Sequence, residues 1–96
     1  MTRALITGGT GFIGSNIALR LAERHWDVCI LERPGASREL LEGGPFEFVT
    51  GDVLEPETLP PALRGMDVVF HAAGVVDYWK QGVERMYQVN VEGTRN

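Results

Sequence analysis

The chain is 96 residues long, the size of one small domain or part of one. Apolar residues make up 44% and charged residues 23%, which excludes a disordered tail and suits a folded globular unit. The net charge is −4 and neither half is basic: residues 1–50 carry five arginines against six acids, and residues 51–96 carry four cations against seven acids. That balance sets nucleic acid and an anionic membrane surface aside as expected partners. Cys29 is the only cysteine and sits in the apolar run Val28-Cys29-Ile30-Leu31, so it reads as a small buried residue without a disulfide partner. The two histidines and one cysteine give no zinc-ligand spacing. No apolar stretch has the length of a membrane span or the form of a secretory leader, and the expected location is cytoplasmic.

Strand and helix signals alternate along the chain. Arg3–Thr7 reads as a buried strand. Phe12–Arg24 reads as a helix, with Ile13, Ile17 and Leu21 four apart on one face. Asp27–Glu32 is a second strand, broken by Pro34-Gly35. Ser37 is suited to cap a short helix through Leu41, which Gly43-Gly44-Pro45 ends. Phe46–Val49 is the third predicted strand. In Glu55–Arg64, Pro56 suits a helix start, but Pro60 and Pro61 remove backbone donors, so two short pieces are expected. Asp67–His71 is the fourth strand, continuously apolar through Val68-Val69-Phe70 as a central parallel strand requires. From about Val83 the chain reads as helical to its end. The alternation implies a parallel sheet with right-handed crossovers in the order 3-2-1-4. That is half of a doubly wound, Rossmann-like α/β sheet plus one strand, with residues 1–96 forming the N-terminal part of such a domain.

The densest chemical signal is Thr7-Gly8-Gly9-Thr10-Gly11-Phe12-Ile13-Gly14, between the first strand and the first helix. A tight turn takes glycine where the backbone has positive φ or touches a ligand. The following helix aims its unpaired N–H groups and positive dipole end at the turn, which suits a dinucleotide pyrophosphate. Two spacings fit, Gly9-x-Gly11-x-x-Gly14 and Gly8-x-x-Gly11-x-x-Gly14. Ligands of such sheets lie at the carboxyl ends of the strands. Strand 2 ends in Glu32-Arg33, with Glu32 lying 18 residues beyond Gly14. An acid there accepts hydrogen bonds from ribose hydroxyls and repels a 2′-phosphate, which favours NAD. Arg33, with Arg38 near, has the shape to bind a 2′-phosphate, so NADP stands as the alternative. Small residues at Ala72, Ala73 and Gly74 let a backbone pass close to the dinucleotide, and His71 reads as a packed strand-end residue.

The motifs Thr-Gly-x-x-Gly-Phe-Ile-Gly, Gly51-Asp52, His71-Ala72-Ala73-Gly74 and Asn90-Val91-Glu92-Gly93-Thr94 run over nearly the whole chain. In order and spacing they resemble the NAD-dependent epimerase/dehydratase group of the extended short-chain dehydrogenase/reductase superfamily. Leu31–Gly35 and Val89–Asn96 lean toward the branch of dihydroflavonol-4-reductase-like proteins and nucleoside-diphosphate-sugar epimerases. The resemblance implies cofactor contacts from Gly8, Gly11, Phe12, Ile13, Gly14, Glu32, Arg33, Asp52, Val53, Ala72, Ala73 and Gly74. Asp52 would meet the adenine amine and Val53 its ring face, beside the plainer reading of Asp52 as a turn aspartate. Three departures stand out: His25-Trp26 replaces a glycine at the end of the first helix, Pro60-Pro61 interrupts a usually regular one, and Glu32 sits where NADP-using relatives of this branch tend to lack an acid.

The same resemblance implies hydride transfer between a nicotinamide and an alcohol or ketone carbon, for example on a nucleotide sugar. It also implies a small-molecule substrate and a homodimer as one state of the intact protein. A catalytic tyrosine with a lysine four residues on is expected, yet Tyr78 is followed by Gly82, Tyr87 by Val91, and Lys80 is preceded by Val76. That pair is expected beyond Asn96, so these residues alone should be inactive. Asn90 matches the family's catalytic set in a supporting role, bending its helix and positioning the lysine through water. Asp77-Tyr78-Trp79-Lys80 falls in a loop of the substrate region. A non-catalytic NAD(P) sensor of the same fold is the second reading.

Overall fold

Strands β1 (Arg3–Thr7) and β2 (Asp27–Glu32) alternate side chains between two faces, and both faces are covered. The computed structural model describes residues 1–74 and 83–96, so the Tyr78-Trp79 loop lies outside the described residues. On one face Ala4, Ile6, Val28 and Ile30 pack with Ala18 and Leu21 of helix α1 (Phe12–Glu23) and with Leu41. On the other, Leu5, Cys29 and Leu31 pack with Val53, Leu59, Ala62 and Val89. Burial pushes the Cys29 thiol pKa up, with Glu47 adding to the effect, which suits a packing role.

Strands β3 (Glu47–Thr50) and β4 (Val68–His71) complete a four-stranded sheet in the order β3-β2-β1-β4, every pairing parallel. Leu5 lies opposite Cys29 and Val69, and Ile30 opposite Phe48. Both β1 and β2 have the predicted bounds; β3 begins and ends one residue later than expected, and β4 begins one later. Val69 of the edge strand β4 remains 45% exposed. At the amino ends of the strands Arg3 gathers acids from its neighbours. It pairs with Glu47 at 2.7 Å and Asp27 at 3.3 Å, and its N–H donates to Asp67 Oδ2 at 2.8 Å.

Helix α1 differs from its expected face. Ile13 is 68% exposed, and the buried stripe is Gly14, Ser15, Ala18 and Leu21. The physical reason is close approach: small residues let the first turns lie against the β1 turn, and the larger Ile13 stays outside. The helix ends without a glycine, yet it closes in the same way. His25 takes φ +62, its N–H donates to Ala22 O at 3.0 Å, and Trp26 N–H donates to Leu21 O at 3.1 Å. That is the Schellman pattern, with Trp26 and Leu21 in one apolar cluster.

The Ser37 segment forms one 3-10 turn, Glu39–Leu41, and Ser37 Oγ accepts from Glu39 N–H at 3.3 Å. Residues 55–64 do form two pieces, a 3-10 turn Pro56–Thr58 and a short helix α2 (Leu59–Leu63). The two prolines do not separate them, because both lie in the first turn of α2, where missing N–H groups cost nothing. Helix α3 (Val83–Tyr87) runs into a π-helical turn, Gln88–Gly93.

Candidate functional site

The carboxyl ends of all four strands open into one cleft of about 360 Å³. Its walls include Gly8 and the first turn of α1 (Gly11, Phe12, Ile13, Gly14), then Arg33 after β2, Asp52 and Val53 after β3, and Ala72, Ala73 and Gly74 after β4. Eleven of the twelve residues expected to touch a cofactor therefore share one surface; Glu32 is the exception. Thr7, Thr10, Leu31, Gly51, Leu54 and Val89 also line it and were not foreseen. Thr7, Thr10 and Gly51 belong to motifs read in the sequence, and Leu31 and Val89 to stretches that resemble the family, but none of them was marked there as lining the cleft; only the fold brings Val89, in the C-terminal helix, over the sheet.

The glycine turn is held by its own backbone. Gly8 takes φ +67, and a Cβ there would lie 2.6 Å from Ala73 N and 2.7 Å from Ala72 C. The small residues after β4 thus let the turn close against them. A Cβ on Gly14 would stand 2.1 Å from Gly8 O, so helix and turn are in backbone contact. Gly11 is different. Its φ of −83 and ψ of 178 suit any residue, and an added Cβ would meet only Gly8 O at 3.4 Å. Gly11 is the N-cap of α1, and no side chain caps the first turn. The donors of that turn therefore look toward the cleft, where the dipole favours an anion. Of the two glycine spacings, the structural demands fall on Gly8, Gly14 and Gly9, whose added Cβ would lie 2.8 Å from Ile30 Cγ2, with Gly11 open between them.

Past β2, the Glu32 side chain turns away from the cleft to Arg38. Arg38 Nε donates to Glu32 Oε2 at 2.9 Å and Nη2 donates to Oε1. The guanidinium also lies over the Phe48 ring, 3.8 Å from its centroid. The hydrogen bond from Arg38 holds the Glu32 carboxyl below the usual carboxylate range. Arg33, next in sequence, lines the cleft and has no ion-pair partner among the described residues.

Asp52 does turn work: Oδ1 accepts from Leu54 N–H at 2.9 Å, and its backbone N–H donates to Thr58 Oγ1 at 3.0 Å. Its place on the cleft wall keeps the second reading compatible with the first. Val53 is buried and faces Gly93, whose missing side chain leaves room for it; a Cβ there would be 2.7 Å from Val53 Cγ2.

Behind β4 runs a chain of hydrogen bonds. Thr7 Oγ1 is 2.6 Å from His71 Nδ1, and His71 Nε2 is 2.9 Å from Thr94 Oγ1. Thr94 Oγ1 donates to Asn90 O at 2.8 Å, and Ala73 N–H donates to Thr7 Oγ1 at 3.3 Å. One assignment satisfies every group: Nε2–H donates to Thr94, and Nδ1 accepts from the Thr7 hydroxyl. His71 does close strand β4, but it is exposed rather than packed as expected, and its hydrogen bonds tie β1 and β4 to Thr94 after the π turn. Asn90 lies in that turn, and its Oδ1 is 3.4 Å from where a Gly74 Cβ would sit. It is beside the cleft rather than on its wall.

A parallel sheet in this order, with a glycine turn and helix N-terminus at the strand ends, defines a doubly wound nucleotide-binding fold. The chain belongs to the NAD dependent epimerase/dehydratase family, whose model matches residues 4–96. It is 34% identical over 100 residues to a 3-beta-hydroxysteroid dehydrogenase of Mycolicibacterium neoaurum, covering 98% of this chain and 27% of that protein. The crystal structure of gox2253 superposes on 99% of this chain with a TM-score of 0.87 and 40% identity, over 29% of its own length. UDP-glucose 4-epimerase from Brucella ovis, solved in complex with NAD, matches 99% of this chain with a TM-score of 0.81 and 29% identity, over 30% of its length. The chain spans between a quarter and a third of the length of these relatives. Among the described residues no helix is long and apolar enough to cross a membrane, and no group of side chains is arranged to hold a metal ion.

Proposed function

We propose that this chain binds NAD across the strand ends and forms the cofactor-holding part of an oxidoreductase or epimerase. Family membership supports the class, and a relative solved with NAD supports the cofactor. The observation that carries the reading is Gly11. Neither its backbone angles nor its neighbours require a glycine, so the space beside it serves something outside the chain. The uncapped first turn of α1 holds the pyrophosphate through Phe12, Ile13 and Gly14 N–H groups. Asp52 and Val53 border the adenine, and the residues after β2 border its ribose. Bound NAD supplies a hydride acceptor or donor for an alcohol or ketone carbon of a small molecule, for which a nucleotide sugar is one substrate class. Asn90, beside Gly74, acts in support of a tyrosine and lysine supplied by other parts of the intact protein.

Gly11→Thr tests this directly. Threonine matches glycine as an N-cap, so the unfolding free energy should change by no more than a neutral surface substitution does, about 0.5 kcal/mol. Calorimetric titration with NAD should show at least a tenfold loss of affinity. Unchanged affinity in a folded Gly11→Thr variant would remove the pyrophosphate from this turn.

A further inference from the structure

We propose that Thr94 and His71 are positioning residues for Asn90: they clasp the π turn that carries it to one wall of the cleft while Val53 holds it to another, so that a dinucleotide filling the cleft fixes the turn. The inference rests on the reading above, in which the cleft takes NAD and Asn90 serves the reaction. A π-helical turn is rare and recurs at functional sites. In Gln88–Gly93 the Asn90 carbonyl is reached by a side chain: Thr94 N–H donates to Val91 O, and the Thr94 hydroxyl donates to Asn90 O at 2.8 Å. That hydroxyl has one proton. Having given it to Asn90 O, it accepts from His71 Nε2–H at 2.9 Å, and His71 Nδ1 lies 2.6 Å from Thr7 Oγ1. Two side chains thus tie the Asn90 backbone to the end of β1.

The second anchor is on the far side of the turn. Gly93, its last residue, lies against Val53, where an added Cβ would stand 2.7 Å from Cγ2. Asn96 Nδ2 donates to Val53 O at 2.8 Å, and Val89 shares an apolar cluster with Val53. Thr7 and Val53, the two ends of the clamp, both line the cleft, one after β1 and one after β3. Asn90, His71 and Thr94 stand outside its wall. A ligand lying across the cleft therefore touches both anchors and leaves the clasp itself untouched. Ordering the anchors lowers the freedom of the turn they hold, and what the ligand loses when the turn opens is what it contributes to closing it. Asn90, with Oδ1 3.4 Å from the position of a Gly74 Cβ, is held at the cleft margin most firmly when the cleft is filled.

The test is amide hydrogen exchange on the full chain, free and saturated with NAD, read at residues 88–93. Titration calorimetry confirms saturation, and thermal melts confirm that each variant is folded. NAD should slow exchange in the turn by about tenfold or more. Thr94→Ser keeps the hydroxyl and should keep the slowing. Thr94→Val should exchange faster in both states and lose the slowing, bringing the free-to-bound ratio to within about twofold of unity. Its NAD affinity should stay within about threefold, because Thr94 does not touch the cleft. A hydroxyl that only supported the helix would raise exchange alike with and without NAD and leave the ratio unaltered; that result overturns the proposal. His71→Leu keeps the Thr94 bond to Asn90 O and cuts the tie to β1. It should also lose the slowing, and it decides the matter if Thr94→Val does not fold. NAD binding without slowing at 88–93 overturns the proposal and leaves the dinucleotide reading intact. Failure to bind NAD overturns both.

Discussion

The turn between β1 and α1 and the segment after β2 border the same cleft, yet they are built differently. The turn is made of backbone against backbone: Gly8 against Ala72 and Ala73, Gly14 against the Gly8 carbonyl. The segment after β2 is made of side chains at the surface: Glu32 gripped by Arg38, Arg38 over Phe48, and Arg33 with no ionic partner among the described residues. Backbone contact of this kind has no slack, because a protein interior has no room to shift by an ångström. Side-chain pairs at a surface rearrange and are screened by solvent. On the proposed reading, the first region would decide whether a diphosphate is held at all, and the second would border the adenosine ribose.

The largest effect that separates the two regions is expected at Gly14. Gly14→Ala places a methyl group on the Gly8 carbonyl oxygen, with no flexible side chain to give way. It should lose about 1–3 kcal/mol or more in a denaturant melt, and NAD binding with it. Gly11→Thr sharpens the contrast within one turn, since it should lose affinity and keep stability. If both variants lose stability alike, the difference between a packed and an open glycine is wrong.

Next in size is Thr94→Val, which takes the acceptor from His71 Nε2 and the donor from Asn90 O. A loss of about 1–2 kcal/mol is expected, with faster amide exchange in the 88–93 turn. Retention of exchange protection there would show that the His71 chain does not hold the π turn. His25→Gly probes the far end of α1, where a glycine is wanted and missing. Relief of the left-handed backbone should raise stability by about 1 kcal/mol and leave NAD affinity alone.

The smallest effect lies at the Glu32–Arg38 pair. The folded-state carboxyl is held below its ordinary value, so the folded chain binds fewer protons there than the unfolded one. The pair's contribution is present above the ordinary carboxylate pKa, about 4.3, and disappears as pH falls through the lowered value. A carbon-detected titration should find Glu32 below its usual range, and Arg38→Gln should return it there. If the titration does not move, the two side chains are not paired in solution.

Much of this was legible beforehand for identifiable reasons. The continuous apolar runs of β1 and β2 mark strands buried on both faces, and their bounds follow from where polar residues begin. The glycine turn sits between a strand and a helix, which leaves little choice of fold. The buried face of α1 was misread because four-residue spacing of large apolar residues weighs Ile13 as core, while close packing selects Gly14 and Ala18 instead. Pro60 and Pro61 look like breakers until their place in a first turn is known. The closure at His25 was hidden by the absence of glycine, although histidine also tolerates positive φ.

Order and spacing along the chain were sufficient for the parallel 3-2-1-4 sheet, because local apolar pattern and handed crossovers admit few other arrangements. They were sufficient too for the position of the glycine turn at its rim. Tertiary packing alone decided that Glu32 faces Arg38 rather than the cleft, that Val89 closes a wall, and that Gly11 is open where Gly14 is not. Each of these depends on distances between residues remote in the chain or on opposite sides of a turn, which no linear pattern records.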